Sequence, residues 1–364
     1  MDLRWRGWIG VAAVAMPFFC VTVRGAERKA TLREAAGNQF LIGAAIRSNQ
    51  LDDPATAALI LKQFDCLTAE YEFMPSSLQP EPGRFTFKAA DRIVAFGQEH
   101  GLPVTGHMLC WDQMTPPWMF EDAKHKPLSR EQALENLKSH IETVMKHFKG
   151  KLSSWGVVNE AISDKWLKPW EYLRDTPALR AIGDDYVQKA FEFAHAADPD
   201  VRLYYNDYNV ENPVKLRKVI RLIRSLKGAG VRLDAIGIQG HWLLHYPDAS
   251  VIDAGIRALG KEGIKVIVTE LDVDMLPRYG SNPYTARIPA KALEEQARRY
   301  GELFAILKRH HDLIPRVTFW GVEDGQSWLN DNPWKGRTNY PLLFDRKLRA
   351  KPAFDAVIKV LLKE

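Results

Sequence analysis

Eight short apolar runs rich in β-branched residues recur along this chain, and each is followed by a longer stretch with helical periodicity. The runs cover 40–46, 64–71, 103–110, 152–159, 202–207, 234–240, 264–271 and 316–322. The seventh reads IKVIVTEL, nearly all apolar. Continuous apolar runs of that length suit strands buried on both faces, as in a parallel sheet. Between them, Leu134, Leu137, Ile141, Val144 and Phe148 recur at spacings of three and four, an amphipathic helical stripe. Ser129 is placed to cap that helix, with Gln132 completing a capping box. Further helices are expected near 54–63, 88–100, 179–196, 213–227, 249–261, 291–311 and 351–362. Eight strand-then-helix repeats predict an α/β fold of one type, a closed (β/α)8 TIM barrel. A doubly wound sheet would normally have fewer strands, and no Gly-rich phosphate fingerprint follows the first run. The 364 residues fit one such domain with decorated loops, and no low-complexity linker marks a second. The Pro- and Trp-rich stretches 112–118, 166–177 and 328–341 read as insertions at the barrel mouth.

The start of the chain has a different character. Arg4 and Arg6 precede an apolar run from 8 to 23, and Val23-Arg24-Gly25 offers small residues for cleavage. This layout predicts a signal peptide over 1–25, a domain over 26–364, and a secreted or periplasmic product. Pro17 and the shortness of the run argue against a membrane anchor, so no membrane association is expected after cleavage. Export leaves Cys66 and Cys110. If their strands are neighbours, Cys66 starts one and Cys110 ends the next, too far apart to bridge, so two buried free thiols are expected. Beyond residue 25 the chain has 47 Lys and Arg against 44 Asp and Glu, a balance too mild to suggest nucleic acid. No metal-ligand spacing such as H-E-x-x-H occurs, so neither metal nor cofactor is expected. The protein is read as a monomer whose partner is a polysaccharide or oligosaccharide.

Active sites of such barrels gather at the C-terminal ends of the strands. Here those ends carry His107, Asn159-Glu160, Asn206-Asp207, Gln239 with His241, Glu270 with Asp272, and Trp320. A carboxylate in a barrel mouth costs free energy unless it is paired or used. Glycoside hydrolysis needs two carboxyl groups, one protonated to assist the departing oxygen and one ionised to attack or stabilise the oxocarbenium-like centre. Glu160 and Glu270, on the fourth and seventh strands, are placed across the mouth from each other.

The segments around them resemble those of family-10 glycoside hydrolases, the β-xylanases. WGVVNEAIS (155–163) is similar to the acid/base segment and IVTELDV (267–273) to the nucleophile segment. YYNDYN, GIQGHW, GHMLCW, FWGVEDGQSW and PLLFD are similar to further segments in the same order, over about 40–357. The resemblance implies a retaining endo-1,4-β-xylanase with Glu160 as acid/base and Glu270 as nucleophile. It implies that Asn159 binds the 2-hydroxyl at the cleavage point, and that His241 supports Glu270 with Asp272 behind it. Glu70, His107, Trp111, Gln239, His241, Trp320 and Trp328 would bind sugar.

One region departs from the family. Where it usually shows Glu-Asn-x-Met-Lys, this chain has Glu70-Tyr71-Glu72-Phe73-Met74, and Met114 stands at a usual Gln. Three donors that grip the next sugar on the non-reducing side have gone together. The expectation is an altered second glycone subsite, unless Gln113 and nearby Trp residues supply the same grip. Two alternatives follow: a related β-glycosidase acting on decorated or short xylo-oligosaccharides or another plant β-glycan, and a non-catalytic carbohydrate-binding barrel. The last would be expected to lose a carboxylate, and both are present.

Overall fold

In the computed structural model, which describes residues 30–168, 170–277 and 288–363, a strand forms in each of the eight apolar runs, and the seventh continues past its run to Asp274. They are β1 (Leu41–Ile46), β2 (Cys66–Ala69), β3 (Val104–Cys110), β4 (Ser154–Asn159), β5 (Arg202–Asp207), β6 (Ala235–Ile238), β7 (Lys265–Asp274) and β8 (Arg316–Phe319). Each pairs in parallel with the next, and β8 pairs back to β1 through Leu41 opposite Arg316, so the sheet closes. The fold is the expected (β/α)8 barrel. The predicted leader lies outside the described residues.

Eight principal helices follow the strands: α1 (Pro54–Gln63), α2 (Lys88–His100), α3 (Arg130–Phe148), α4 (Tyr186–Ala197), α5 (Pro213–Gly228), α6 (Ala249–Lys261), α7 (Ala290–Arg309) and α8 (Pro352–Leu362). Most turn an apolar stripe inward, whereas α1 buries Thr56, Ile60 and Gln63; on α3 the stripe is Leu137, Ile141, Val144 and Phe148, all buried. Burying such side chains on the sheet contributes about 1.5–3 kcal/mol apiece before entropic costs. No described helix is long and apolar enough to cross a membrane.

Two local expectations need correction, and one element is new. The helix expected over 179–196 is two, Pro177–Ile182 and α4, because Gly183 at φ +109° cannot continue a right-handed helix. Ser129 caps α3 by accepting from the Gln132 N–H, but the Gln132 side chain donates to Asn136 instead of returning to the cap, so the box is half made. A short extra strand, His241–Leu243, lies beside the end of β7, with His241 opposite Asp272. It extends the sheet past the barrel rim, where the polar residues sit.

Cys66 opens β2 and Cys110 closes β3, while Leu67 pairs with Val104. The thiols therefore lie at opposite ends of neighbouring strands, both free and buried. Burial pushes each up to about 12, which keeps them protonated and inert.

Candidate active site

The C-terminal strand ends surround a cavity of about 380 Å³. Glu70, His107, Trp111, Asn159, Glu160, Gln239, His241, Glu270, Asp272, Trp320 and Trp328 all line it. Their convergence follows from the barrel itself, since parallel strands deliver their last residues to one face.

Glu160 is the residue at which the chain leaves β4. Its backbone is left-handed, φ +56°, while its N–H still donates to the Asn206 carbonyl at 2.9 Å. A side chain other than glycine pays about 1–2 kcal/mol for that conformation. Gln239 Nε2 donates to Glu160 Oε1 at 2.9 Å, and Arg174 Nη1 reaches Oε2 at 3.2 Å. Burial, then the charge of Asp207 with a smaller contribution from Glu270, pushes Glu160 up to about 7, against the Gln239 hydrogen bond and Arg174. Near neutrality this carboxyl group holds a proton much of the time.

Glu270 lies near the end of β7 and is equally buried, yet its surroundings act in the opposite sense. Asn206 Nδ2 donates to Oε1 at 2.7 Å, His107 Nε2 lies 3.4 Å from Oε1, and His241 Nε2 lies 3.0 Å from Oε2. Burial alone would raise this group, but the hydrogen bonds and charge of His107 and His241 outweigh it and hold Glu270 at about 2. His241 Nδ1 lies 2.9 Å from Asp272 Oδ2. Burial would lower His241, but Asp272 and Glu270 on either side raise it to about 10, so the ring is an imidazolium donating to both. Trp328 Nε1 donates to the same Asp272 oxygen at 2.8 Å, tying the indole to the carboxylate behind His241.

Two amides bridge the carboxyl groups. Asn206 Nδ2 also donates to Asn159 Oδ1 at 3.0 Å, and Gln239 Nε2 lies 3.3 Å from that oxygen. The Thr269 hydroxyl donates to Asn206 Oδ1 at 2.7 Å and so sets which way the amide faces. This needs Gly237 on β6, because a Cβ there would stand 2.2 Å from Asn206 Oδ1. Trp320 forms an edge contact with His107 at 5.2 Å between ring centroids, while Trp328 lies 4.8 Å from His241. The two indoles wall the cavity with apolar faces suited to sugar rings.

The end of the cavity near Glu70 is built differently from the rest. Arg47 grips Glu70 with two hydrogen bonds, 2.7 and 2.9 Å, and its guanidinium also lies 5.1 Å from the Tyr71 ring centre. Met74 lines the wall, almost wholly buried. Gln113 lines the cavity; Met114 is not among the lining residues, and its carbonyl accepts from the Ser76 N–H.

Several contributors were not singled out from sequence. Asn206 was visible as a strand end, but its hold on Glu270 was not. Tyr208, Asn209, Leu243, Tyr246, Asp274, Leu329, Asn332 and Pro333 also line the cavity. Arg174 comes from the excursion after β4, brought back by the Ile162–Leu173 bridge and by its own N–H to the Ala161 carbonyl. An arginine fourteen residues beyond Glu160 in aperiodic sequence carries no local signal of its target. Among the described residues, no group of three or more His, Cys, Asp or Glu is arranged to hold a metal ion.

The family model for glycosyl hydrolase family 10 matches residues 31–360. Among curated proteins, the chain is 38% identical over 353 residues to endo-1,4-beta-xylanase A of Xylanibacter ruminicola, covering 92% of this chain and 94% of the relative. It is 40% identical over 331 residues to the endo-1,4-beta-xylanase of Geobacillus stearothermophilus, covering 91% and 98%. Among solved structures it resembles xylanase XynB from Paenibacillus barcinonensis complexed with a conduramine derivative, with TM-score 0.87, 38% identity, and 92% and 99% of the two chains covered.

Proposed function

The chain belongs to glycosyl hydrolase family 10 and is a glycoside hydrolase; from that premise we propose that it is a retaining endo-1,4-β-xylanase, with Glu160 as acid/base and Glu270 as nucleophile. The observation that carries this is the opposite bias of two buried carboxyl groups on one cavity, Glu160 held at about 7 and Glu270 at about 2. Environments that push paired carboxyl groups apart assign acid and nucleophile. The curated relatives named as endo-1,4-beta-xylanases support xylan as the polymer.

In the first step Glu160 gives its proton to the departing glycosidic oxygen while Glu270 attacks the anomeric carbon and forms a glycosyl ester. That ester removes the Glu270 charge, one of the influences holding Glu160 up, so Glu160 more readily stays ionised. As a carboxylate it takes a proton from water, which displaces Glu270 from the opposite side. Two inversions leave the β configuration. Asn206 and His241 fix Glu270 for attack, and Asn159, held by both amides, would bind the hydroxyl next to the anomeric carbon.

Glu270→Ala should abolish hydrolysis of every substrate. Glu160→Ala should lose oligosaccharide hydrolysis yet keep part of its rate on aryl glycosides with good leaving groups. Proton NMR of the earliest product should show the β anomer; an α product would sink retention.

A second reading concerns the next sugar. Glu70 is occupied by Arg47, and the buried thioether of Met74 donates no hydrogen bond. These features support an altered second glycone subsite and a preference for short or decorated xylo-oligosaccharides. Comparing kcat/KM on aryl xylobiosides and xylosides tests it: a large gain from the second xylose would count against it, as Gln113 would then be supplying the grip. For residues 1–25 we propose an export leader; N-terminal sequencing of the protein recovered from periplasm or medium should find them removed.

A further inference from the structure

Behind Glu160 stands a cluster of four charged groups that the double displacement leaves unused. Arg174 divides its guanidinium, with Nη1 3.2 Å from Glu160 Oε2 and Nη2 2.7 Å from Asp164 Oδ2. Lys215, wholly buried at the start of α5, reaches Asp164 Oδ1 at 2.7 Å and Asp207 Oδ1 at 2.6 Å. Tyr208 lies among them: its hydroxyl donates to Asp164 and accepts from Arg174 at 2.9 Å, and Lys215 Nζ lies 3.9 Å from its ring centre. Asp207 is further held by the Tyr205 hydroxyl at 2.5 Å.

Two cations and two carboxylates cancel. With a proton on Glu160 the group is neutral, and without it one negative charge remains uncompensated in a buried site. The groups around Glu160 come from several elements: Asp164 and Arg174 from the excursion after β4, Asp207 and Tyr208 from the end of β5, Lys215 behind them from α5, Glu270 from β7, and the neutral amides of Asn159 at the end of β4 and Gln239 after β6.

We propose that Arg174 is a positioning residue for the acid/base, sharing one positive charge between Asp164 and Glu160 and so setting how readily Glu160 passes between its acid and base forms. The inference rests on the acid/base reading of Glu160. It assigns opposite signs to two neighbours in contact. Losing Arg174 removes the cation that favours ionised Glu160, so the acid form persists to higher pH. Losing the Asp164 charge frees Arg174 for Glu160 and favours ionisation, so the acid form is lost at lower pH. A purely structural role would not move the two in opposite directions.

The test is the basic limb of the pH profile of kcat/KM on an unsubstituted xylo-oligosaccharide, whose leaving group needs a proton. Arg174→Met should move that limb up by about one pH unit and Asp164→Asn down by a similar amount, as expected for a charge at this separation. Arg174→Lys, which keeps the charge, should return it towards the parent position. Where a variant is too slow to profile, carbon-13 NMR titration of the Glu160 carboxyl group reads the same equilibrium, and circular dichroism checks folding. Limbs that stay in place, or move the same way in Arg174→Met and Asp164→Asn, overturn the role of Arg174. Full activity of Glu160→Ala on the same substrate would instead overturn the acid/base reading beneath it.

Discussion

The two carboxyl groups differ in what accompanies burial. Glu160 meets the anion Asp207, the two neutral amides of Gln239 and Asn159, and a cation shared with Asp164. Glu270 meets an amide and two imidazoles, one of them doubly clamped. His241→Ala should therefore remove one of the two imidazoles that hold Glu270 down, with His107 still in place, and let burial raise it. The nucleophile acts only when ionised, so activity falls as pH drops through its pKa, and a raised pKa moves that fall to higher pH. The acid limb of kcat/KM should rise by about one unit or more, while the basic limb, set by Glu160, stays near its place; an unmoved acid limb would remove His241 from this role. The candidate carboxyl groups were legible because each ends an apolar run, and in a parallel barrel a run's end is an address. Arg174 was not, because its approach to Glu160 is decided by the Ile162–Leu173 bridge, a pairing that no local pattern announces.

Strands were readable as elements because a sheet covered on both faces needs unbroken apolar runs, and little else in this chain supplies them. Their ends were read too long at several places, since 64–71 shrinks to Cys66–Ala69 and 234–240 to Ala235–Ile238. The flanking residues, Glu70 and Gln239 among them, had already turned into the mouth to line the cavity. The register between β5 and β6 shows what the element contributes beyond holding the barrel. Asn206 pairs with Gly237, and the missing side chain there is the space into which the Asn206 amide extends towards Glu270. Gly237→Ala should displace that amide, because its nearest neighbour is a hydrogen-bonded oxygen with little freedom to move. Overpacking of this kind costs about 1–3 kcal/mol in stability. The kcat on an aryl glycoside should fall about tenfold or more, in keeping with losing a hydrogen bond to a charged group. A variant as stable and active as the parent would show that Asn206 does not depend on this space.

The β8–β1 pairing closes the barrel, and within the eighth unit a buried ion pair holds the last loop and the last helix together. Lys351, which precedes α8, donates to Asp324 at 2.9 and 3.1 Å and to the Tyr340 carbonyl at 2.7 Å. Asp324 follows β8 and accepts from the Leu342 N–H at 2.9 Å, so one carboxylate ties the eighth loop to the closing helix. Both charges are nearly inaccessible to water. Burial raises Asp324 to about 6 even with Lys351 opposing it, and burial lowers Lys351. Lys351→Met would leave that carboxylate without its cation, and breaking one side of a buried pair costs about 3–5 kcal/mol. The sign of the pH dependence follows from the raised pKa. Between the unfolded value near 4 and the folded value the native state binds more protons, so this group's contribution to stability falls as pH rises through that window. Without Lys351 the folded value climbs further and the window widens upward. Urea unfolding should therefore show Lys351→Met far below the parent at pH 7 and closer to it at pH 4, where a neutral carboxyl group needs no cation. Asp324→Asn added to Lys351→Met should recover part of the loss at pH 7. A deficit independent of pH would mean that Lys351 acts through packing of its methylene chain and not through charge.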